Sequence, residues 1–239
     1  MKKLIVFVGK VYLTLSFILL NQVFAKNVAE DVKKHLEQIS PRLSEITLEK
    51  TAVKNVFRFW LSNKLNHVYY ADGHIIVGDM LNLDRRVSLG EEAQSARIIG
   101  LLKAAADKSI NYGPKNAKRT IHVFTDIDCA FCRRLHSEID QITAAGIQVR
   151  YFAFPRTGVN SASYDKYVSV WCAEDQNIAL NAAKSGTQPV SKTCENPIAE
   201  TYQLGAELGL RGTPMLVYDD GTIVNGYKPA NVLIQELGL

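Results

Sequence analysis

The chain has 239 residues and a net charge of +4, from 28 Lys and Arg against 24 Asp and Glu. That length suits one large domain or two small ones with real cores. Three of the positive charges, Lys2, Lys3 and Lys10, sit in a leader-like start, so the remainder is close to +1 and no nucleic-acid-binding surface is implied.

Behind those lysines runs the apolar stretch Val11–Leu20, followed by Val23-Phe24-Ala25. A basic beginning, a short apolar centre and small residues three positions and one position before the cut describe a secretory signal, residues 1–25, cleaved after Ala25. The run is shorter than the roughly 20 residues that span a bilayer, so a membrane anchor is the weaker reading. All four cysteines lie in the exported part, an even number that suits an oxidising compartment.

From Asn27 to Ile39, Val28, Val32, Leu36 and Ile39 mark one face of a short helix that Ser40-Pro41 ends. Val53–Leu61 alternates as a strand, and Val68-Tyr69-Tyr70 and Ile75-Ile76-Val77 flank Ala71-Asp72-Gly73-His74, a hairpin signal. One helix and a few strands over residues 26–90 make a thin core. This module therefore reads as one that pairs with a second copy through a strand edge, with a monomeric accessory domain as the alternative. Ser88-Leu89-Gly90-Glu91 matches a capping box, and helix-forming residues run to about Ser109 before Asn111-Tyr112-Gly113-Pro114-Lys115 breaks them. Residues 91–111 read as a connecting arm or as an ordinary packed helix.

The chemistry is concentrated in Cys129-Ala130-Phe131-Cys132. It joins the strand Thr120–Thr125 to a helix with Leu135, Ile139 and Ile142 on one face. A cysteine at a helix N-terminus meets free N–H groups and the positive end of the dipole, which favour thiolate over thiol. Cys129 is thus expected as the exposed nucleophile, with Cys132 one turn deeper and able to bridge to it. Zinc would need two further ligands, and His136 supplies one at most.

Ala145-Gly146 closes the helix, and Ile147–Phe154 forms the second strand. Tyr164–Lys184 reads as helical, ended by Ser185-Gly186. Asn196-Pro197 opens another helix that stops at Gly209. Met215–Tyr218 and Thr222-Ile223-Val224 flank Asp219-Asp220-Gly221 as a hairpin, and Pro229 opens a last helix through Leu237. Four cysteines allow three connectivities, and the short CxxC loop makes 129–132 plus 172–194 the economical one. A Cys172–Cys194 bridge would stabilise by about 3 kcal/mol on chain-entropy grounds.

This order is that of an α/β (α+β) chain whose residues 112–239 form a thioredoxin-like domain with a helical insertion, behind a small cystatin-like α+β module and a helical linker. Phe124–Cys132, Arg150–Arg156, Trp171-Cys172-Ala173 with Cys194, Gly212-Thr213-Pro214 and Gly73–Gly78 together resemble the DsbC/DsbG family of bacterial periplasmic thiol:disulfide interchange proteins, nearer its DsbC branch. The resemblance implies a V-shaped homodimer with two active sites facing an apolar cleft, and a cis-proline loop at Thr213-Pro214 that positions substrate beside Cys129. It implies a structural disulfide between Cys172 and Cys194. It also implies isomerisation of wrong disulfides in misfolded or unfolded secreted proteins, electrons from a DsbD-like membrane thiol reductase, and no metal or organic cofactor. Net oxidation or reduction of substrate thiols and a holdase chaperone are the alternatives. The dipeptide departs from the family's usual Gly-Tyr. Asp126 and Asp128 oppose a thiolate at Cys129 whereas Arg133 and Arg134 favour it, a balance that geometry must decide.

Overall fold

The computed structural model describes residues 30–40, 48–60 and 67–239. The expected signal segment, the start of the first helix at Asn27 and Val28, Pro41 and Leu61 lie outside them. The chain parts into two compact units at Gly78 and Asp79, ahead of the 90/91 boundary expected from the sequence.

In the first unit, α1 (30–39) accompanies a four-stranded antiparallel sheet in the order β1-β2-β3-β4: Leu48–Lys50, Val56–Trp60, His67–Ala71 and His74–Ile76. Val32 and Leu36 on α1 join Phe57, Phe59, Val68 and Tyr70 in its core. Ile39, expected on the same face, is 66% exposed, because α1 ends there and the small core does not reach it. The strand expected from Val53 begins instead at Val56. Thr51 Oγ1 accepts from Val53 N, and Asn55 has φ +60°, so residues 53–55 form a turn. The Asp72-Gly73 hairpin forms as expected, with Ala71 opposite His74. Both turn residues have positive φ, +46° and +78°, the geometry of a two-residue type I′ loop.

The second unit opens with the short ribbon β5 (Leu81–Asn82) and β6 (Val87–Ser88) and the helix α2 (Leu89–Ala104). Ser88 Oγ accepts from Glu91 N at 2.8 Å, the expected cap, and Asp79 in turn accepts from Ser88 Oγ and from Gly90 N. α2 buries Ile98 and Leu102 and lies close to the turn at Gly221, where a Cβ would sit 2.8 Å from the Ser95 backbone. A 3₁₀ turn, Ala106–Lys108, leads into β7 (Ile110–Tyr112). Asn111-Tyr112 is expected from the sequence to break the helix into a turn. They are instead an edge strand antiparallel to β9, with Ile110 buried, Asn111 exposed and the turn delayed to Gly113 at φ +87°.

A five-stranded sheet in the order β11-β10-β8-β9-β7 organises the rest. β8 (Arg119–Thr125) and β9 (Ile147–Ala153) are parallel neighbours, as a strand–helix–strand crossover requires. β10 (Met215–Tyr218) and β11 (Ile223–Asn225) form the terminal hairpin. The single helix expected after the CxxC is two, α3 (Ala130–Ser137) and α4 (Ile139–Ala144). They part at Glu138, whose carboxylate accepts from Ala230 N at the start of α8 (Ala230–Glu236). Likewise Tyr164–Lys184 is split into α5 (Ala162–Trp171) and α6 (Gln176–Lys184), because Asp175 caps a new helix by accepting from Ile178 N. α7 (Ile198–Glu207) follows.

Leu135, Ile139 and Ile142 are all buried, and with Ile121, Val123, Val149 and Tyr151 they belong to the main core. Phe124 and Phe152 stack with centroids 5.1 Å apart, and α7 approaches Phe124 and Phe154 at Gly205. The sheet is thus clad on both faces, and its C-terminal edge at Thr125 carries the cysteine loop. Among the described residues no helix is long and apolar enough to cross a membrane.

Candidate functional site

β8 ends at Thr125, and Asp126-Ile127-Asp128 turns the chain so that Cys129 stands at the N-cap of α3 with an extended backbone, φ −86° and ψ 122°. Cys132, three residues on, falls inside the first turn. Both cysteines are free thiols. Gly212-Thr213-Pro214 arrives from the far end of the chain with a cis Thr213–Pro214 bond, and Cys129 Sγ donates to the Thr213 carbonyl at 3.3 Å. Residues 84 positions apart are brought together here. Thr213 is buried.

The expectation of an exposed Cys129 is corrected: the residue is 3% exposed, covered where Thr213 meets it. Phe131, at 59%, is the prominent apolar side chain between the two cysteines. Placement at the helix start was legible from the sequence, but the cover comes from a loop that folds over from the other end of the chain.

The two sulfurs differ in acidity, and each shift has a cause. Burial pushes the Cys129 thiol up. The Thr213 side-chain hydroxyl, the backbone N–H and thiol of Cys132, and the Arg156 guanidinium outweigh it and hold Cys129 below the ordinary thiol range. At Cys132 burial wins and its thiol is raised, against Lys184 and donors at Asp126, Thr125 and Thr213. Asp126 N points at Cys132 Sγ from 3.5 Å. One thiol is thus readied to ionise while the other keeps its proton, a division of labour suited to nucleophilic attack followed by resolution.

Asp126 does not oppose Cys129 as a bare charge. Its buried carboxylate accepts from Asp128 N (2.7 Å), Ser163 Oγ (2.9 Å), Arg156 N (2.8 Å) and Arg156 Nε (3.1 Å). Burial pushes it up, but these donors prevail and hold it below the usual carboxylate range. Asp128 is matched by Lys166 Nζ at 2.8 Å and by Arg133. Arg134 lies over the Tyr227 ring, 4.7 Å from its centroid, whereas the Arg156 guanidinium lowers the Cys129 thiol. Of the four charges singled out in the sequence, none decides the acidity of Cys129.

His136, weighed above as a zinc ligand, is buried with both ring nitrogens engaged. Asn181 Oδ1 lies 2.9 Å from Nε2 and Tyr151 Oη lies 3.2 Å from Nδ1. The Asn181 oxygen also accepts from Tyr112 Oη, so Nε2 carries the proton and Nδ1 accepts. Burial, with Lys184 nearby, lowers His136 to about 4, leaving it a neutral strut. Among the described residues no group of His, Cys, Asp and Glu is arranged to hold a metal ion. Cys172 and Cys194 are bonded to each other, Cα to Cα 5.8 Å, and tie the end of α5 to the segment before α7.

Sequence reading missed Ser163, Thr125 and Lys184 as members of this site. Nothing in their local pattern marks them; only the crossing of α5, α6 and the end of β8 brings them under the cysteines.

A family profile described as a thioredoxin-like domain matches residues 106–238. The thiol:disulfide interchange protein DsbC of Pasteurella multocida is 30% identical over 206 residues, 86% of this chain and 89% of its own. DsbC of Dickeya dadantii is 43% identical over 136 residues, 57% of each chain, and DsbC of Escherichia coli K12 is 36% identical over 156 residues, 65% of each. In these last two the matched stretch spans less than two thirds of the relative's length. A solved disulfide interchange protein from Neisseria gonorrhoeae, 34% identical, aligns with 54% of this chain and 95% of its own at a TM-score of 0.49.

Proposed function

The chain belongs to the DsbC family of thiol:disulfide interchange proteins, and on that premise we propose that it is a periplasmic disulfide isomerase acting on misfolded secreted proteins. The observation that carries the reading is the placement of two free thiols at the start of α3, Cys129 at its N-cap and Cys132 in its first turn, beside the cis Thr213–Pro214 loop, in surroundings that lower the first thiol and raise the second.

Cys129 thiolate attacks one sulfur of a wrong disulfide. A bond forms between Cys129 Sγ and that sulfur, and the other substrate sulfur leaves with the electron pair and takes a proton. The incoming strand takes over the contact that Thr213 makes with Cys129 in the free protein, and Phe131 meets its apolar side chains. The freed substrate thiol then attacks elsewhere and regenerates the enzyme, or Cys132 displaces the substrate and leaves a 129–132 disulfide. A membrane thiol reductase of the DsbD kind would return the oxidised form to the dithiol. Residues 26–90 serve as the dimerisation module. β4 supports this, since it is the end strand of the first sheet and its hairpin leaves Ile75, Ile76 and Val77 exposed, the last at 84%. The linker expected over residues 91–111 leads from the module to the thioredoxin-like domain expected over 112–239, whose sheet takes in the linker's last two residues through β7, and Cys172–Cys194 is a structural staple.

The test is recovery of activity from scrambled ribonuclease in a glutathione buffer. Wild type should accelerate it, and Cys129→Ala should abolish the acceleration. Retention of full activity without Cys129, or capture by Cys132→Ala in cells of redox machinery alone with no secreted clients, would sink the isomerase reading.

A further inference from the structure

Lys184 ends α6 in the helical insertion, yet its side chain runs beneath the cysteines and is only 3% exposed. Its ammonium donates to Thr125 Oγ1 at 2.5 Å and to the Asp126 carbonyl at 3.0 Å, and it faces the Tyr151 ring 5.8 Å from its centroid. A lysine is almost never fully buried unless paired, and an unpaired buried charge is costly. None of the ion pairs among the described residues includes Lys184. By accepting from Lys184, Thr125 Oγ1 leaves its own proton free to turn to Cys132, the thiol it helps to acidify.

We propose that Lys184 is a positioning residue of the resolving step, its counter-ion being the Cys132 thiolate that forms only once Cys129 is tied up in a mixed disulfide, with Thr125 Oγ1 as the link between them. The inference rests on the interchange reading and deepens it. In the step, Cys132 gives up its proton and its sulfur bonds to Cys129 Sγ. The bond from Cys129 to the substrate sulfur breaks, and that sulfur leaves with both electrons and takes up a proton. The enzyme dithiol is oxidised, the substrate disulfide is reduced, and Lys184 stays protonated throughout.

The charges around the ammonium agree with this role. Burial lowers Lys184 to about 8, while Cys132, Asp126 and Cys129 each hold it up and Arg133 opposes it. At neutral pH it remains mostly a cation. Lys184 in turn lowers Cys132 and His136, and His136, Tyr151 and Tyr167, which lie in the same buried cluster, are neutral there.

Mixing the reduced full-length protein with 5,5′-dithiobis(2-nitrobenzoate) separates the two thiols. A first, bimolecular release of thionitrobenzoate reports attack by Cys129, and a second, unimolecular release reports resolution by Cys132. In Lys184→Met the second release should slow about tenfold near neutral pH, with its pH midpoint moved up by about one unit. The first should change by no more than about threefold, because Lys184 also senses Cys129 from farther away. Thr125→Val, which keeps the volume and removes the link, should slow the second release in the same direction, and it carries the test if Lys184→Met does not fold. A second release with unchanged rate and midpoint in either folded variant overturns the proposal. Absence of any second release in wild type would instead overturn the interchange reading beneath it.

Discussion

Replacing Asp126 by Asn keeps the shape of a buried side chain and removes its charge. Both carboxylate oxygens are fully used, Oδ1 by Asp128 N and Ser163 Oγ, Oδ2 by Arg156 N and Nε. An amide has one oxygen, and the less costly orientation puts its NH₂ at the Oδ1 position, where the Ser163 hydroxyl turns to accept but the Asp128 N–H faces another donor. Losing that bond and leaving a donor unpaired costs about 1–3 kcal/mol, and weakening the other three, two that fall from charge-assisted to neutral and one that loses its ion pair but keeps the guanidinium donor, costs about 1 kcal/mol each. Relief of the desolvation of a buried carboxylate offsets part of this. The expected net loss is about 3 kcal/mol. For a unit of this size that is a drop of roughly 6–12 °C in Tm. The acid dependence has a definite sign. Asp126 is depressed in the folded state, so its contribution is fully present above the unfolded carboxylate value of about 4 and is lost as pH falls through the folded value. Urea unfolding of wild type and Asp126→Asn, followed by near-UV circular dichroism, should therefore show a gap at neutral pH that closes in acid. Carboxylates common to both proteins cancel in the difference. A gap under about 1 kcal/mol at neutral pH, or one that persists unchanged into acid, would refute the reasoning.

Alkylation by iodoacetamide should label Cys129 with a pH midpoint below that of an ordinary thiol and Cys132 only above it, and Arg156→Met should raise the Cys129 midpoint; the reverse order, read by mass spectrometry, would show the acidities misassigned. Replacing both Cys172 and Cys194 by Ala opens a loop with a sequence separation of 22 and should cost about 3 kcal/mol in urea unfolding. An unchanged midpoint would contradict a structural role. Gly205→Ala on α7 places a Cβ 2.6 Å from Phe154 Cδ2 and 3.1 Å from Phe124 Cδ1. Phe154 is stacked on Tyr202 at 4.6 Å and cannot give way freely, so overpacking of about 1–3 kcal/mol should exceed the roughly 1 kcal/mol gained in helix propensity. A rise in Tm would mean that the sheet and α7 yield there.

What could be read from the sequence is what short-range physics governs. The Asp72-Gly73 hairpin, the Ser88 cap, the strand that delivers Cys129 to a helix start and the buried stripe of Leu135, Ile139 and Ile142 depend on neighbours within a few residues, and each stands where the pattern put it. Where a polar pair could serve as either turn or edge strand, as at Asn111-Tyr112, the outcome rested on whether β9 had a free edge to offer. The site's chemistry belongs to the tertiary structure. Thr213 covers Cys129, Arg156 and Ser163 donate to the Asp126 carboxylate, and Lys184 comes under Cys132, from 84, 30, 37 and roughly 50 positions away. Thiol acidity is set by charge and solvent within a few ångströms in space, and distance along the chain carries no record of it.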